Sequence, residues 1–347
     1  MASLANILRQ IAEPDTQAAQ KAAQRLDSLV KPLGSLGRLE QLAIQLASIR
    51  GNQPLHFPSK EVLVMAADHG VWQEGVTPSP QIVTAIQAVN IVQGKAGVSV
   101  LARAAGAQVT LIDCGIIGAD IPGTLNHKVA QGTGNIATGP AMTREQAESL
   151  LIWSAERVIA KAESGLSLLA VGELGMANTT PAAAMVAVLT GAQPAQTVGL
   201  GANLPPDRLA HKISVVEKAI AVNQPDPSDA MDVMAKVGGF ELVAMAGTMM
   251  GAAAAGIPLV LDGFLSYASA LAACQIAPAL KPYLIPSHLS AEQGATLALE
   301  ALGLTPYFDL NLRLGEGSGA ALALPLIDAA CAIHNEMATL AECQIEL

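Results

Sequence analysis

Aromatic side chains make up only 3% of this 347-residue chain, and charged ones only 14%. With so little charge to spread over a surface, the chain is expected to be compact and to hide further surface in an oligomer. Much of the apolar content is Ala, which favours tightly packed helices over a core of bulky side chains. Runs of Lys and Arg are absent, and the formal net charge is −10. A nucleic-acid partner needs a basic stripe to displace counterions from phosphates, and an anionic membrane surface needs the same sign of charge. Neither partner is expected. The four cysteines, Cys114, Cys274, Cys331 and Cys343, form no CxxC pair, which excludes a zinc ribbon or a thioredoxin-like motif. They read as free thiols of a cytoplasmic protein. The first residues lack a basic region followed by an apolar run, so no signal peptide is expected.

Leu242 to Leu261 is uncharged and long enough to be tested as a membrane span. It consists mostly of Ala, Gly and Met, and Ala and Gly insert far less well than Leu or Ile. Pro258 lies near its end and Asp262 just beyond. The expectation is a buried helix, a turn at Gly256–Ile257–Pro258, and a short buried strand.

No internal repeat or low-complexity linker interrupts the chain. The first 55 residues read as helices around a Pro/Gly turn from Lys31 to Gly37. Beyond them, short apolar runs alternate with longer helical stretches, the signature of a parallel sheet. Strands are predicted near Glu61–Ala67, Gln108–Asp113, Ser167–Val171, Pro258–Leu261, Tyr283–Ile285 and Tyr307–Leu312. Helices are predicted over Pro80–Ala105, Thr143–Ser164 and Ala320–Met337. In the last strand Phe308, Leu310, Leu312 and Leu314 alternate with Asp309, Asn311 and Arg313, as at a wet sheet edge. The fold class is α/β: a Rossmann-like, mostly parallel six-stranded sheet flanked by helices, with a small helical lobe from the two ends of the chain. The division is residues 1–55 (lobe), 56–316 (α/β core) and 317–347 (last helix, returning to the lobe).

Ligands of open parallel sheets bind beyond the carboxyl ends of the strands. Those ends read Asp68–His69–Gly70, Asp113, Glu173, Asp262–Gly263, Ser287–His288 and Glu316. Every predicted strand runs into a polar or acidic group. Glu173 lies in Val-Gly-Glu-Leu-Gly-Met-Ala-Asn-Thr-Thr and Glu316 in Leu-Gly-Glu-Gly-Ser-Gly-Ala, each framed by glycine ahead of a helix start. Glycine allows positive φ and a close approach to a ligand. The free N–H groups of a helix start suit a phosphate or another anion. A carboxyl group among apolar neighbours there can serve as a general base near neutrality. The same glycines could instead serve turns, with each Glu capping a helix. Neither loop is a Walker A or GxGxxG motif.

Six segments in order carry a resemblance: Lys31-Pro-Leu-Gly-Ser-Leu-Gly-Arg-Leu-Glu40, Ala67-Asp-His-Gly-Val-Trp72, Gly172-Glu-Leu-Gly-Met-Ala-Asn-Thr-Thr180, Val237-Gly-Gly-Phe-Glu241, Leu261-Asp-Gly-Phe264 and Gly315-Glu-Gly-Ser-Gly-Ala320. Together they resemble the nicotinate-nucleotide–dimethylbenzimidazole phosphoribosyltransferases of cobalamin lower-ligand assembly, over about residues 10 to 335. The resemblance implies transfer of phosphoribose from nicotinate mononucleotide to 5,6-dimethylbenzimidazole or a similar base, with inversion at C1′, no metal or organic cofactor, and a homodimer. It implies Glu316 as the base that takes the benzimidazole proton. Ser79, Gln87, Leu174, Met176 and Leu314 match positions around the incoming base. Gly175, Gly201, Lys212 and Ser290 match positions around the phosphate, and Glu173 and Asp262 positions near the ribose and nicotinate.

Two other readings compete. His69 and His288 with Asp68, Asp113 and Asp262 form a metal-like set, which would suit a metal-dependent hydrolase, but no HxH or HExxH spacing supports it. A non-catalytic nucleotide-binding module is the second. Met245, Met249 and Met250 read as core.

Overall fold

The computed structural model of the chain describes residues 3–345. Six parallel strands stand in the order β3-β2-β1-β4-β5-β6. They are β1 Lys60–Ala67, β2 Gln108–Gly115, β3 Leu125–Asn126, β4 Leu168–Leu174, β5 Leu259–Leu261 and β6 Leu284–Pro286. The helices along the chain are α1 Leu4–Gln10, α2 Thr16–Asp27, α3 Arg38–Arg50, α4 Val83–Val92, α5 Gly97–Ala104, α6 Arg144–Glu163, α7 Thr179–Thr190, α8 Pro194–Thr197, α9 Leu209–Asn223, α10 Ala230–Val237, α11 Phe240–Ala254, α12 Phe264–Ile276, α13 Ala295–Leu302 and α14 Ser318–Glu336.

The sheet is covered on both faces, so the runs Val62–Ala67 of β1 and Leu168–Val171 of β4 are apolar without alternating polar residues. In β1, Val62, Val64 and Ala66 enter one core with residues of α2–α5 and α14. Leu63, Met65 and Ala67 enter the other, with residues of α6, α7 and α9–α12. This is the two-residue period of a strand dividing its side chains between two layers. Leu29 forms an antiparallel bridge with Thr339, which ties the end of α2 to the segment after α14.

The stretch tested as a membrane span is α11 followed by β5. Residues Phe240 to Ala253 of α11 are all buried. A Cβ at Gly247 would lie 2.2 Å from the Leu151 carbonyl oxygen, and one at Gly251 2.5 Å from that of Ala155. Glycine therefore lets α11 press backbone to backbone against α6. Among the described residues no helix is long and apolar enough to cross a membrane.

Two sequence expectations are corrected. Tyr307–Leu312 is not a strand. It is a loop with a single bridge from Phe308 to His288, and Asn311 has a φ of 54°. Leu310 and Leu314 of the alternating set are exposed. Arg38 holds this loop from outside the sheet, donating to the Thr305 and Pro306 carbonyls and lying 4.2 Å over the Tyr307 ring. The sixth strand is β3 instead, too short to show a period. The helix predicted over Pro80–Ala105 is broken into α4 and α5, because Gly94 takes a φ of 74° and ends the first one.

Candidate active site

From β1 the sheet grows one way through β2 to β3 and the other way through β4 to β6, so strand order reverses between β1 and β4. Such a switch point leaves a crevice at the carboxyl ends of the strands. A cavity of about 320 Å³ opens at those ends. Ser79, Gln87, Leu174, Met176, Leu314, Glu173, Gly175, Gly201, Lys212, Asp262, Ser290 and Glu316 all line it. The residues singled out from sequence thus come together at one place. Leu174 is buried in the wall, whereas Leu314 is exposed at the mouth.

Glu316 is not at a strand tip, contrary to the sequence expectation; it lies in the turn that opens α14. Its φ is 64°, between Gly315 at 78° and Gly317 at 90°. A non-glycine residue in that region costs about 1–3 kcal/mol, so the surroundings must impose it. The turn also lies tight against β4. A Cβ on Gly172 of β4 would meet the Glu316 carbonyl oxygen at 2.2 Å, and one on Gly315 would meet Glu173 Oε1 at 2.2 Å. The buried side chain of Glu316 is aimed by two donors. Gln87 Nε2 reaches Oε1 at 2.6 Å, and the Val98 N–H reaches Oε2 at 3.3 Å.

Asp262 follows β5 and faces the same turn. Its oxygens accept the N–H groups of Gly317 (3.1 Å), Gly319 (2.8 Å) and Ala320 (3.1 Å). Burial raises its pKa, while neighbouring His288 and these N–H groups pull it down.

Glu173 is the buried carboxyl group at the end of β4 and accepts a hydrogen bond from Asn178 Nδ2. Burial, then the charge of Asp262, push its pKa up to about 8. Near neutrality it is mostly a neutral acid and a hydrogen-bond donor, although the sequence alone admits it as a base.

Lys212 lines the same cavity and is 1% exposed. Its Nζ donates to Thr179 Oγ1 at 2.7 Å and to the Gly199 carbonyl at 3.0 Å. Burial lowers its pKa to about 8, with Glu292 acting in the opposite sense. Gly201 has a φ of 58°, and a Cβ there would come 3.1 Å from Lys212 Nζ. A buried ammonium, small residues and the nearby start of α7 suit a phosphate.

The acid and histidine set does not converge. His69 Nε2 lies 2.8 Å from Glu241 Oε1, both fully buried. Asp68 Oδ2 accepts the Ile117 N–H, and Asp113 Oδ1 those of Gly115 and Ile116. His288 Nδ1 is 3.0 Å from Ser287 Oγ. Among the described residues no group of three His, Cys, Asp or Glu side chains could hold a metal ion.

Sequence reasoning missed two carboxylates. Glu292 lines the cavity and accepts from the Gly201 N–H at 3.4 Å. No glycine frame marks it in the sequence. Glu241 ends the Val237–Glu241 segment, whose glycines signalled something without naming the partner; Gly239 leaves room for His69 and Glu241 together.

A glycine-framed carboxylate and a buried lysine line one crevice of the parallel sheet, and a phosphoribosyltransferase family model matches residues 11–345, which makes the chain an enzyme of the phosphoribosyl-transfer class. The chain is 60% identical over 347 residues to nicotinate-nucleotide–dimethylbenzimidazole phosphoribosyltransferase of Yersinia enterocolitica, covering 100% of this chain and 99% of that one. It is 59% identical over 349 residues to the enzyme of that name from Escherichia coli, covering 100% and 97%. The crystal structure of the same-named protein from Thermus thermophilus superposes with a TM-score of 0.90 at 43% identity, over 96% of this chain and 99% of that one. The chain belongs to the nicotinate-nucleotide–dimethylbenzimidazole phosphoribosyltransferase family.

Proposed function

We propose that the protein transfers the 5-phosphoribosyl group of nicotinate mononucleotide to 5,6-dimethylbenzimidazole, giving α-ribazole 5′-phosphate and nicotinate, with Glu316 as general base. The nicotinate ring of the mononucleotide is a cationic pyridinium and leaves as a neutral ring nitrogen. C1′ becomes oxocarbenium-like, and the benzimidazole nitrogen attacks with inversion. The adduct then loses the ring N–H proton to the carboxylate, a contribution of about 10²–10⁴-fold. The observation that carries this reading is the Glu316 carboxylate, buried and aimed by Gln87 and the Val98 N–H beside an apolar wall.

In this reading Ser79, Leu174, Met176 and Leu314 flank the flat base. Lys212, Gly201, Gly175 and Ser290 receive the phosphate, and Glu173 stands near the ribose and nicotinate. No metal takes part. Helices α2 and α3 of the 1–55 segment and α14 of the 317–347 segment form the helical lobe on the 56–316 core, whereas α1 packs against α6 and α11; residues 1, 2, 346 and 347 lie outside the described residues. The protein is cytoplasmic, in keeping with four unpaired cysteines, and a homodimer. Ile82, Ile86 and Val89, three exposed apolar side chains along one stretch beside Gln87, support a partner surface there.

The test is nicotinate release on mixing both substrates. Glu316→Gln is expected to lose at least about 10²-fold in turnover while still binding both substrates. Wild-type turnover by that variant would sink the assignment. Loss of wild-type activity to a chelator would favour the metal-dependent hydrolase instead.

A further inference from the structure

We infer that Asp262 is a positioning residue for this transfer: its carboxylate fastens the first turn of α14 and so keeps Glu316 in the left-handed conformation that aims its side chain at Gln87. The inference rests on the general-base reading of Glu316.

Helices commonly begin with a side chain that accepts their free N–H groups. Here the position is Gly317, which has no side chain, and the helix supplies no cap of its own. Asp262 takes that role from the end of β5. Oδ2 accepts the Gly317 N–H at 3.1 Å, and Oδ1 accepts those of Gly319 at 2.8 Å and Ala320 at 3.1 Å. The donors lie directly after Glu316 in the chain. Both oxygens act as acceptors, which suits a carboxylate; in the neutral acid one oxygen would turn an O–H towards an N–H.

Asp262 is itself held. Its carbonyl oxygen accepts Tyr267 Oη at 2.8 Å and Ser287 Oγ at 2.9 Å. The turn has no slack on its far side either, since a Cβ on Gly319 would fall 2.0 Å from His288 Nδ1. Asp262 is 2% exposed with its oxygens committed to the backbone, so it has little left for a ribose hydroxyl. Released from this anchor, Glu316 would relax towards an ordinary φ. Its carboxylate would leave the line set by Gln87 and Val98.

The experiment compares Asp262→Asn, Glu316→Gln and the double variant in the full chain, with nicotinate release as readout and nicotinate mononucleotide and 5,6-dimethylbenzimidazole as substrates. An amide cannot offer acceptors to all three donors. Misplacing a reacting group by about 1 Å costs about 10²-fold, so kcat of Asp262→Asn is expected to fall about that much. The KM for the nucleotide should stay within about threefold, as for a group that does not bind substrate. The double variant should be no slower than Glu316→Gln alone, because Asp262 acts only through Glu316. Should Asp262→Asn not fold, Asp262→Ser carries the test: the smaller hydroxyl adds no bulk and cannot accept from all three N–H groups, and the same loss confined to kcat is expected.

Wild-type kcat in Asp262→Asn overturns the inference. So does a nucleotide KM that rises in step with the loss, which would make Asp262 a direct ligand. An equal further loss in the Glu316→Gln background does the same, by showing that Asp262 works independently. If Glu316→Gln itself turns over normally, the general-base reading has failed; if it is slow and Asp262→Asn is not, only the anchor has failed.

Discussion

Gln87 Nε2 and Glu316 Oε1 stand 2.6 Å apart, joining α4 to the turn before α14 in the lining of the cavity. The amide donates to the carboxylate, and its own oxygen accepts Asn90 Nδ2 at 3.0 Å, which fixes which way the amide faces. A carboxylate has lone pairs for several partners, so this bond leaves room for the N–H of an incoming base. Replacing Gln87 by Leu removes the aim but not the base. We expect kcat to fall about tenfold with little change in nucleotide KM, the pattern of an interaction that matters in the transition state. A variant that instead loses nucleotide affinity at full kcat would place Gln87 in a different role.

Gly172 sets how closely that turn approaches the sheet. A methyl group there would lie 2.2 Å from the Glu316 carbonyl oxygen and 2.6 Å from the Gly317 nitrogen, both backbone atoms with little freedom to move. Gly172→Ala is therefore expected to cost about 3 kcal/mol, the upper part of the usual range for overpacking. Its activity should fall further than its stability explains. Gly139→Ala, with nothing within 4 Å of the new carbon, is the control and should be close to neutral. Urea unfolding and initial rates on both variants decide this.

The sheet was legible in the sequence wherever a strand was long and buried: β1, β2 and β4 follow aliphatic runs that solvent-facing segments rarely contain. β3, two residues long, carries no periodic signal. Tyr307–Leu312 alternates as a strand would, yet it is held by backbone bonds with Ser287, Leu289 and Ala291 and by Arg38 from a distant helix, and no local pattern records those contacts. Glu173, Asp262 and Glu316 were legible because they stand beside glycines, and Glu292, without such a frame, was not. What each carboxylate faces was not. Asp262 and Glu173 both precede glycine-rich turns, but one is tied to three backbone N–H groups and the other holds an asparagine. That difference depends on which loop crosses which strand.

Glu173 makes stability depend on pH. Its folded-state pKa of about 8 lies above the value of about 4.3 for an unfolded Glu. Between these values the folded protein holds a proton that the unfolded chain has lost. The contribution is fully present below about pH 4 and is lost as pH rises to 8. Glu173→Gln keeps an acceptor for Asn178 and removes the titration. The variant should gain stability relative to wild type as pH rises through that window, by on the order of 4–5 kcal/mol at pH 8. Parallel thermal melts from pH 5 to 8.5 that keep a constant difference would show that Glu173 is ionised throughout.

Lys212 carries the opposite sign. Its folded-state pKa of about 8 lies below the usual value of about 10.4, so the unfolded chain binds the extra proton between the two. Burying the ammonium without an anion is unfavourable below pH 8, and the penalty fades as pH rises to 10. Lys212→Met is thus expected to melt higher than wild type at pH 6–7 in the absence of ligand. It should bind the nucleotide less well, because a hydrogen bond to a charged group contributes about 1.5–3 kcal/mol, or roughly 10–100-fold in KM. Nicotinate mononucleotide should therefore raise the melting temperature of the wild type and much less that of the variant. The nucleotide advantage of the wild type should also shrink above pH 8, as Lys212 loses its proton. Equal thermal shifts in the two proteins would mean that the phosphate sits elsewhere, and that Lys212 is buried only to hold Thr179 and the Gly199 carbonyl in place.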